Sequence, residues 1–129
     1  WTEQQEMLSA DPWQKMEWYF DLTVRYYDQN QRICPTGVLS AEFLVLPEEM
    51  QVETRLFVED LLAWCTRILE EGQQQGYFIF AGVAREKAVN IMAALQGGLQ
   101  LTRVLASAEL LDNIARQIRI ELGAVGQPV

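Results

Sequence analysis

The sequence predicts an all-α protein, an antiparallel bundle of about five to six helices forming one domain over residues 1–129. Three observations carry that expectation. Apolar residues recur at helical spacing through most of the chain. Proline and glycine fall mainly between those periodic runs, where they punctuate helices rather than interrupt them. Half of the residues are apolar, and at 14.8 kDa a chain can bury enough surface for one core without disulfides or metals.

Residues 1–10 read as the end of an earlier helix that links to a domain upstream. Asp11-Pro12 opens the next helix: Asp11 offers a capping oxygen, and Pro12 suits the first helical position. Trp13, Met16, Phe20, Val24 and Tyr27 then recur at steps of 3, 4, 4 and 3, which is one helix face. Tyr19, Leu22 and Tyr26 widen it. Asn30–Gly37 reads as a loop, and Val38–Leu46 as a short apolar helix closed by Pro47. Pro47–Gln75 has the strongest periodicity, with adjacent stripes of Phe57, Leu61, Trp64, Ile68 and of Val58, Leu62, Cys65, Leu69. Gly76 is the expected stop, with Gly72 an earlier candidate.

Tyr77–Phe80 is too short to decide and fits an extended connection. A helix over Ala84–Leu105 carries one face of Ala88, Ile91, Leu95, Gly98, Thr102 and Leu105, and a second of Ala94, Gly97, Leu101 and Val104. Ser107 is placed to cap a last helix with the stripe Leu111, Ile114, Ile118 and Leu122, ending at Gly123. Gly126–Val129 is expected to fray.

Composition removes several functions. There is no histidine, which excludes Ser-His, Cys-His and His-ligated metal chemistry within this chain. Cys34 and Cys65 lie too far apart for a CxxC pair. With 10 basic and 18 acidic residues the net charge is −8, which repels phosphate and argues against direct binding of DNA or an anionic membrane. The longest apolar stretch, near Tyr77–Ala84, is far short of a membrane span, and no leader-like segment is visible. Glu48, Glu49 and Glu53 fit the positive end of a helix better than an acid–base or metal site. Neither a catalytic residue, a metal site nor a cofactor site is expected.

Three constellations remain. Gly97 and Gly98 in mid-helix cost about 1 kcal/mol each relative to alanine, so a close helix contact should offset them. A neighbouring helix of the same chain would serve, but the second apolar face favours a homodimer. Its interface would comprise Ala94, Gly97, Gly98, Leu101, Val104, Leu111, Ile114 and Ile118, the last two helices meeting their symmetry mates in a four-helix bundle. Next, Trp13, Met16, Phe20, Phe43, Met50, Phe57, Trp64 and Met92 exceed what a core of this size needs. Each alone reads as core; together they are candidates to line an apolar pocket between helices. Finally, Cys34 follows Arg32 and precedes an inferred helix start, two features that favour a thiolate. It is the candidate reactive thiol, against the plain alternative of a cysteine tucked under its loop. Cys65, on an apolar stripe, reads as structural.

Order and spacing then point to a family. Asp11-Pro12 is followed by Cys34-Pro-Thr-Gly-Val-Leu-Ser-Ala-Glu42 and by Leu46-Pro-Glu-Glu-Met50. Then come Trp64-Cys-Thr-Arg-Ile-Leu-Glu-Glu-Gly72, Gln75-Gly-Tyr-Phe78 and Ala93-Ala-Leu-Gln-Gly-Gly98. In that order they resemble the C-terminal ligand-binding and dimerisation domain of TetR-family transcriptional regulators. The resemblance implies a bacterial cytoplasmic repressor-type protein, dimeric through its last two helices, with a small apolar or electrophilic effector bound among the central ones. DNA would be read only by an N-terminal helix-turn-helix domain outside this chain. The resemblance also implies that a cysteine at the position of Cys34 can sense reactive compounds. The rival reading is a stand-alone helical interaction module that binds no small molecule. Enzymatic activity is not expected.

Overall fold

The computed structural model describes residues 10–28 and 43–123. They form four α-helices and one 3-10 turn: α1 (Pro12–Asp28), the turn Phe43–Val45, α2 (Glu48–Gln74), α3 (Ala84–Leu105) and α4 (Glu109–Glu121). No strand occurs among the described residues. The expected helix over Val38–Leu46 is described only from Phe43, where the chain makes a 3-10 turn rather than an α-helix. Residues 1–9, the Asn30–Gly37 loop with Cys34, and the tail from 124 lie outside the described residues.

Asp11 opens α1 as the sequence predicts, in a reciprocal arrangement. The Gln14 N–H donates to Asp11 Oδ1 at 2.8 Å, and the Asp11 N–H donates to Gln14 Oε1 at 2.9 Å. Extended backbone at Pro47 precedes α2, Glu48 and Glu49 occupy its positive end, and Gln51 Nε2 donates back to the Leu46 carbonyl at 3.0 Å. The helix runs through Gly72 and stops before Gly76, which has φ +82. Gly72 serves packing instead: the Phe78 ring occupies the space its Cβ would need, and the Phe78 N–H donates to the Gly72 carbonyl at 3.0 Å.

Residues 77–83 are a non-helical connection tied to the far end of the chain, since the Ile79 N–H donates to the Leu122 carbonyl at 3.0 Å. α3 spans the residues expected of it and ends on Ala106 in the left-handed region, φ 52, with the Ala106 and Ser107 N–H groups both donating to the Thr102 carbonyl. Ser107 does not cap α4 with its hydroxyl. Its carbonyl accepts the Leu110 N–H at 3.2 Å, because the tight α3–α4 connection spends that residue on a backbone turn.

α3 is the hub, packed against α1, α2 and α4. The pairs α1–α2, α2–α3 and α3–α4 each run antiparallel. Trp13 meets Tyr77 and Phe78 past the end of α2 while Trp18 and Tyr19 meet Trp64 in its middle. Lys87 at the start of α3 pairs with Glu121 at the end of α4 at 2.8 Å, and Gly98 lies against Leu111 and Ile114. The core gathers Met16 and Phe20 from α1, Cys65, Ile68 and Leu69 from α2, Ala88, Ile91 and Leu95 from α3, and Ile118 and Leu122 at the end of the chain, with Phe78 closing one end.

Candidate functional site

The eight candidate pocket residues separate into two groups. Met16, Phe20 and Met92 are buried in the core, and Trp13 and Trp64 pack against it half-buried. Helical spacing delivers them: Trp13, Met16 and Phe20 share one face of α1, Trp64 lies on the facing stripe of α2, and Met92 on α3. Aromatic edges hold the group together. Trp13 meets Phe78 edge-on at 4.8 Å, while Trp64 meets Trp18 at 5.6 Å and Tyr19 at 6.0 Å. The Trp13 indole N–H donates to the Tyr77 carbonyl at 3.1 Å, anchoring the start of α1 to the α2–α3 connection.

Phe43, Met50 and Phe57 are not brought into that group. They sit around the N-terminal half of α2, where Met50 is 44% and Phe57 48% exposed. The Arg55 guanidinium lies 5.8 Å from the Phe43 ring centroid. With Leu44, Val45, Val52 and Leu56 also exposed, this end of the bundle carries an open apolar surface.

Two surface clefts are defined by described residues, and none of the eight candidates lines either. One, of about 180 Å³, lies between α3 and α4 over Ile91, Ala94, Ile114 and Ile118, with Lys87, Asn90, Gln117 and Glu121 around it. The other, of about 370 Å³, is an open groove of mixed lining where the end of α2 meets the start of α3.

The candidate interface residues separate as well. Gly98, Leu111 and Ile118 are buried between α3 and α4 of the same chain. A Cβ at Gly98 would stand 2.5 Å from Ile114 Cδ1 and 3.3 Å from Leu111 Cδ2, so this glycine exists to let α4 approach α3. Gly97 is different: nothing lies within 4 Å of where its Cβ would be. Beside it Leu101 is 54% and Val104 80% exposed, while Ala94 and Ile114 are half-buried.

Several features escaped the sequence reading. Glu17 and Arg119 form a bidentate pair, Nε to Oε2 at 2.6 Å and Nη2 to Oε1 at 2.7 Å, tying α1 to α4. The Arg119 guanidinium also stacks 5.2 Å from the Phe20 centroid. The Glu17 hydrogen bond, reinforced by nearby carboxylates, holds its pKa above the usual arginine value against the opposing effect of burial. A pair 102 residues apart leaves no local spacing signal. Gln96 Oε1 and Thr102 Oγ1 are buried without a hydrogen-bond partner. Thr102 did carry a signal, being a polar residue on an otherwise apolar face. Cys65 is buried, and desolvation pushes its thiol up to about 12, so it is inert at neutral pH.

Among the described residues no group of three or more Cys, Asp or Glu could hold a metal ion, and no helix is long and apolar enough to cross a membrane.

No family model matches the chain, and no curated protein matches it. Among solved structures the chain is similar to a TetR-family transcriptional regulator from Agrobacterium tumefaciens, with a TM-score of 0.82 and 28% sequence identity over 88% of this chain. The match covers 60% of that regulator, so this chain spans about three fifths of its length. The all-helical bundle is a TetR-like fold, and the resemblance read from the sequence holds in the structure.

Proposed function

We propose that this chain is the effector-sensing and dimerisation part of a TetR-type transcriptional regulator, whose DNA contact is made by an N-terminal helix-turn-helix outside it. The observation that carries the reading is the similarity in fold, at a TM-score of 0.82, to a transcriptional regulator. The charge of −8 supports a division of labour in which the basic DNA-reading surface lies elsewhere.

In this reading the effector is a small apolar or electrophilic compound, held where Met16, Phe20, Trp64 and Met92 converge, with Trp13 behind them. Methionines at two of these positions supply an adaptable lining. Gln96, one turn beyond Met92, brings a buried amide oxygen with no partner, a polar group ready for a ligand donor. Phe43, Met50 and Phe57 would extend the apolar lining towards the N-terminal end of α2. A reactive thiol at Cys34 is a further route to sensing. The dimer forms through α3 and α4, using Ala94, Gly97, Leu101, Val104 and Ile114, whose open apolar face a monomer leaves in water. Binding regulates DNA contact only insofar as the effector prefers one arrangement of the dimer to another.

Thermal unfolding against a panel of apolar and electrophilic compounds tests the sensing role. Stabilisation by a subset, abolished by Gln96→Leu or Phe20→Ala, is expected for a sensor. Uniform failure across a broad panel favours the rival reading of a stand-alone interaction module; the open apolar end around Leu44 and Val45 supports that rival.

A further inference from the structure

The buried stripes of three helices turn polar at the same end of the bundle. Thr23, Thr54 and Thr102 are the buried polar side chains among the described residues, and Thr102 is fully enclosed. Each stands seven residues, or about 10 Å, from an apolar member of its own stripe. Met16 precedes Thr23 on α1, Leu61 follows Thr54 on α2, and Leu95 precedes Thr102 on α3. Because α1–α2 and α2–α3 run antiparallel, the C-terminal halves of α1 and α3 and the N-terminal half of α2 share one end. A core built for stability alone would carry valine at such positions, since valine has the shape of threonine and no hydroxyl to satisfy.

These hydroxyls are not all spent on the helices. Thr23 Oγ1 donates to the Tyr19 carbonyl at 3.0 Å, and Thr66 Oγ1 to the Leu62 carbonyl at 2.7 Å, the usual use of a helical threonine. Thr102 Oγ1 makes no such bond and has no partner. Gln96 Oε1, about 9 Å earlier along α3, is buried and unpartnered as well. Two such atoms on one helix oppose folding unless another molecule uses them. No acidic or basic side chain is buried among the described residues, so an ionised ligand group would meet no countercharge inside. Around this end the rim is apolar, with Met50 and Phe57 about half exposed.

We infer that the effector is an uncharged amphiphile carrying hydroxyl or amide N–H donors, which Gln96 Oε1 and Thr102 Oγ1 receive while its apolar body lies against Met92. The inference rests on the sensing reading above and adds the effector's polarity and the end of the bundle that its donors face. Acceptor groups alone would leave Gln96 Oε1 unsatisfied, and a carboxylate would bury its charge against two further oxygens.

Isothermal titration of the 129-residue chain tests this with matched probes: decanediol and hexylresorcinol, their dimethyl ethers, and the carboxylates decanoate and hexylbenzoate. Each donor-bearing probe is expected to bind about tenfold or more tightly than its ether and its carboxylate. Gln96→Leu with Thr102→Val should erase the gap between diol and ether and leave binding of the ether in place. Thr102→Ser, which keeps a hydroxyl, should keep the gap. Without ligand, Thr102→Val should be at least as stable as the parent in denaturant, because no partner is lost with the hydroxyl. A less stable Thr102→Val chain overturns the inference, since its hydroxyl would then be in use within the fold. Equal binding of diol and ether, or a gap that survives in the double variant, overturns it and leaves the sensing reading standing. Binding of none of these probes also overturns it, and the wider compound panel above decides the sensing reading separately.

Discussion

Adjacent glycines in one helix make unlike demands on their surroundings. Leucine at Gly98 must push Ile114 and Leu111 off α3, and overpacking of that kind costs about 1–3 kcal/mol. Gly98→Leu is therefore expected to lower the denaturant midpoint of the chain. Gly97→Leu meets open space, so its circular dichroism should match the parent while its molar mass falls to that of a monomer. Cys65 gives a second residue-scale prediction. Its thiol is raised from 9.0 to about 12 by burial, so the folded chain holds a proton that the unfolded chain releases earlier. The stability this contributes is complete below pH 9 and is lost as pH rises towards 12, and Cys65→Ala should flatten that alkaline decline in a urea titration series. Iodoacetamide at neutral pH should modify Cys65 only at the rate at which the chain opens.

At the scale of elements, the ends of α1, α2 and α3 were legible because their signals are local. Asp11-Pro12 with Gln14 builds a capping box, Pro47 with Glu48 and Glu49 starts α2, and Gly76 follows its end. Ser107 shows the limit of local reasoning: a capping residue type sits in the right place, but the short α3–α4 connection uses its backbone and not its hydroxyl. The apolar face of Ala84–Leu105 was legible as a face, yet periodicity cannot say which partner covers it. Gly98, Leu111 and Ile118 therefore fall inside the chain while Gly97, Leu101 and Val104 remain open. Among the candidate pocket residues, those of α1 share one core with Trp64 and Met92, because α1, α2 and α3 pack against one another there. Met50 and Phe57 share the periodicity of α2 but lie outside that core, about half exposed. The Glu17–Arg119 tie was invisible because it joins the two ends of the chain. Both side chains are partly exposed, so screening keeps its contribution modest. Arg119→Ala is expected to cost about 1 kcal/mol in chemical denaturation, including the lost stacking on Phe20, and Arg119→Lys should recover little because an ammonium cannot make the fork.

On the scale of the whole molecule, α3 is both the hub of the monomer and the carrier of its open face. One side buries Ile91, Leu95 and Leu99, and the other presents Gly97, Leu101 and Val104 to water. Under the function proposed above, that second side is the surface through which two copies would pair. Under that proposal Met92 and Gln96 would line the effector site while Gly97 would face a second copy, so a small shift of α3 would be felt at both. The measurement that bears most directly on this account is molar mass in solution, by light scattering across a dilution series. The account predicts a dimer of about twice 14.8 kDa that persists on dilution. A monomer at every concentration would contradict it, leaving the open face of α3 without a partner and the regulator reading without its dimer.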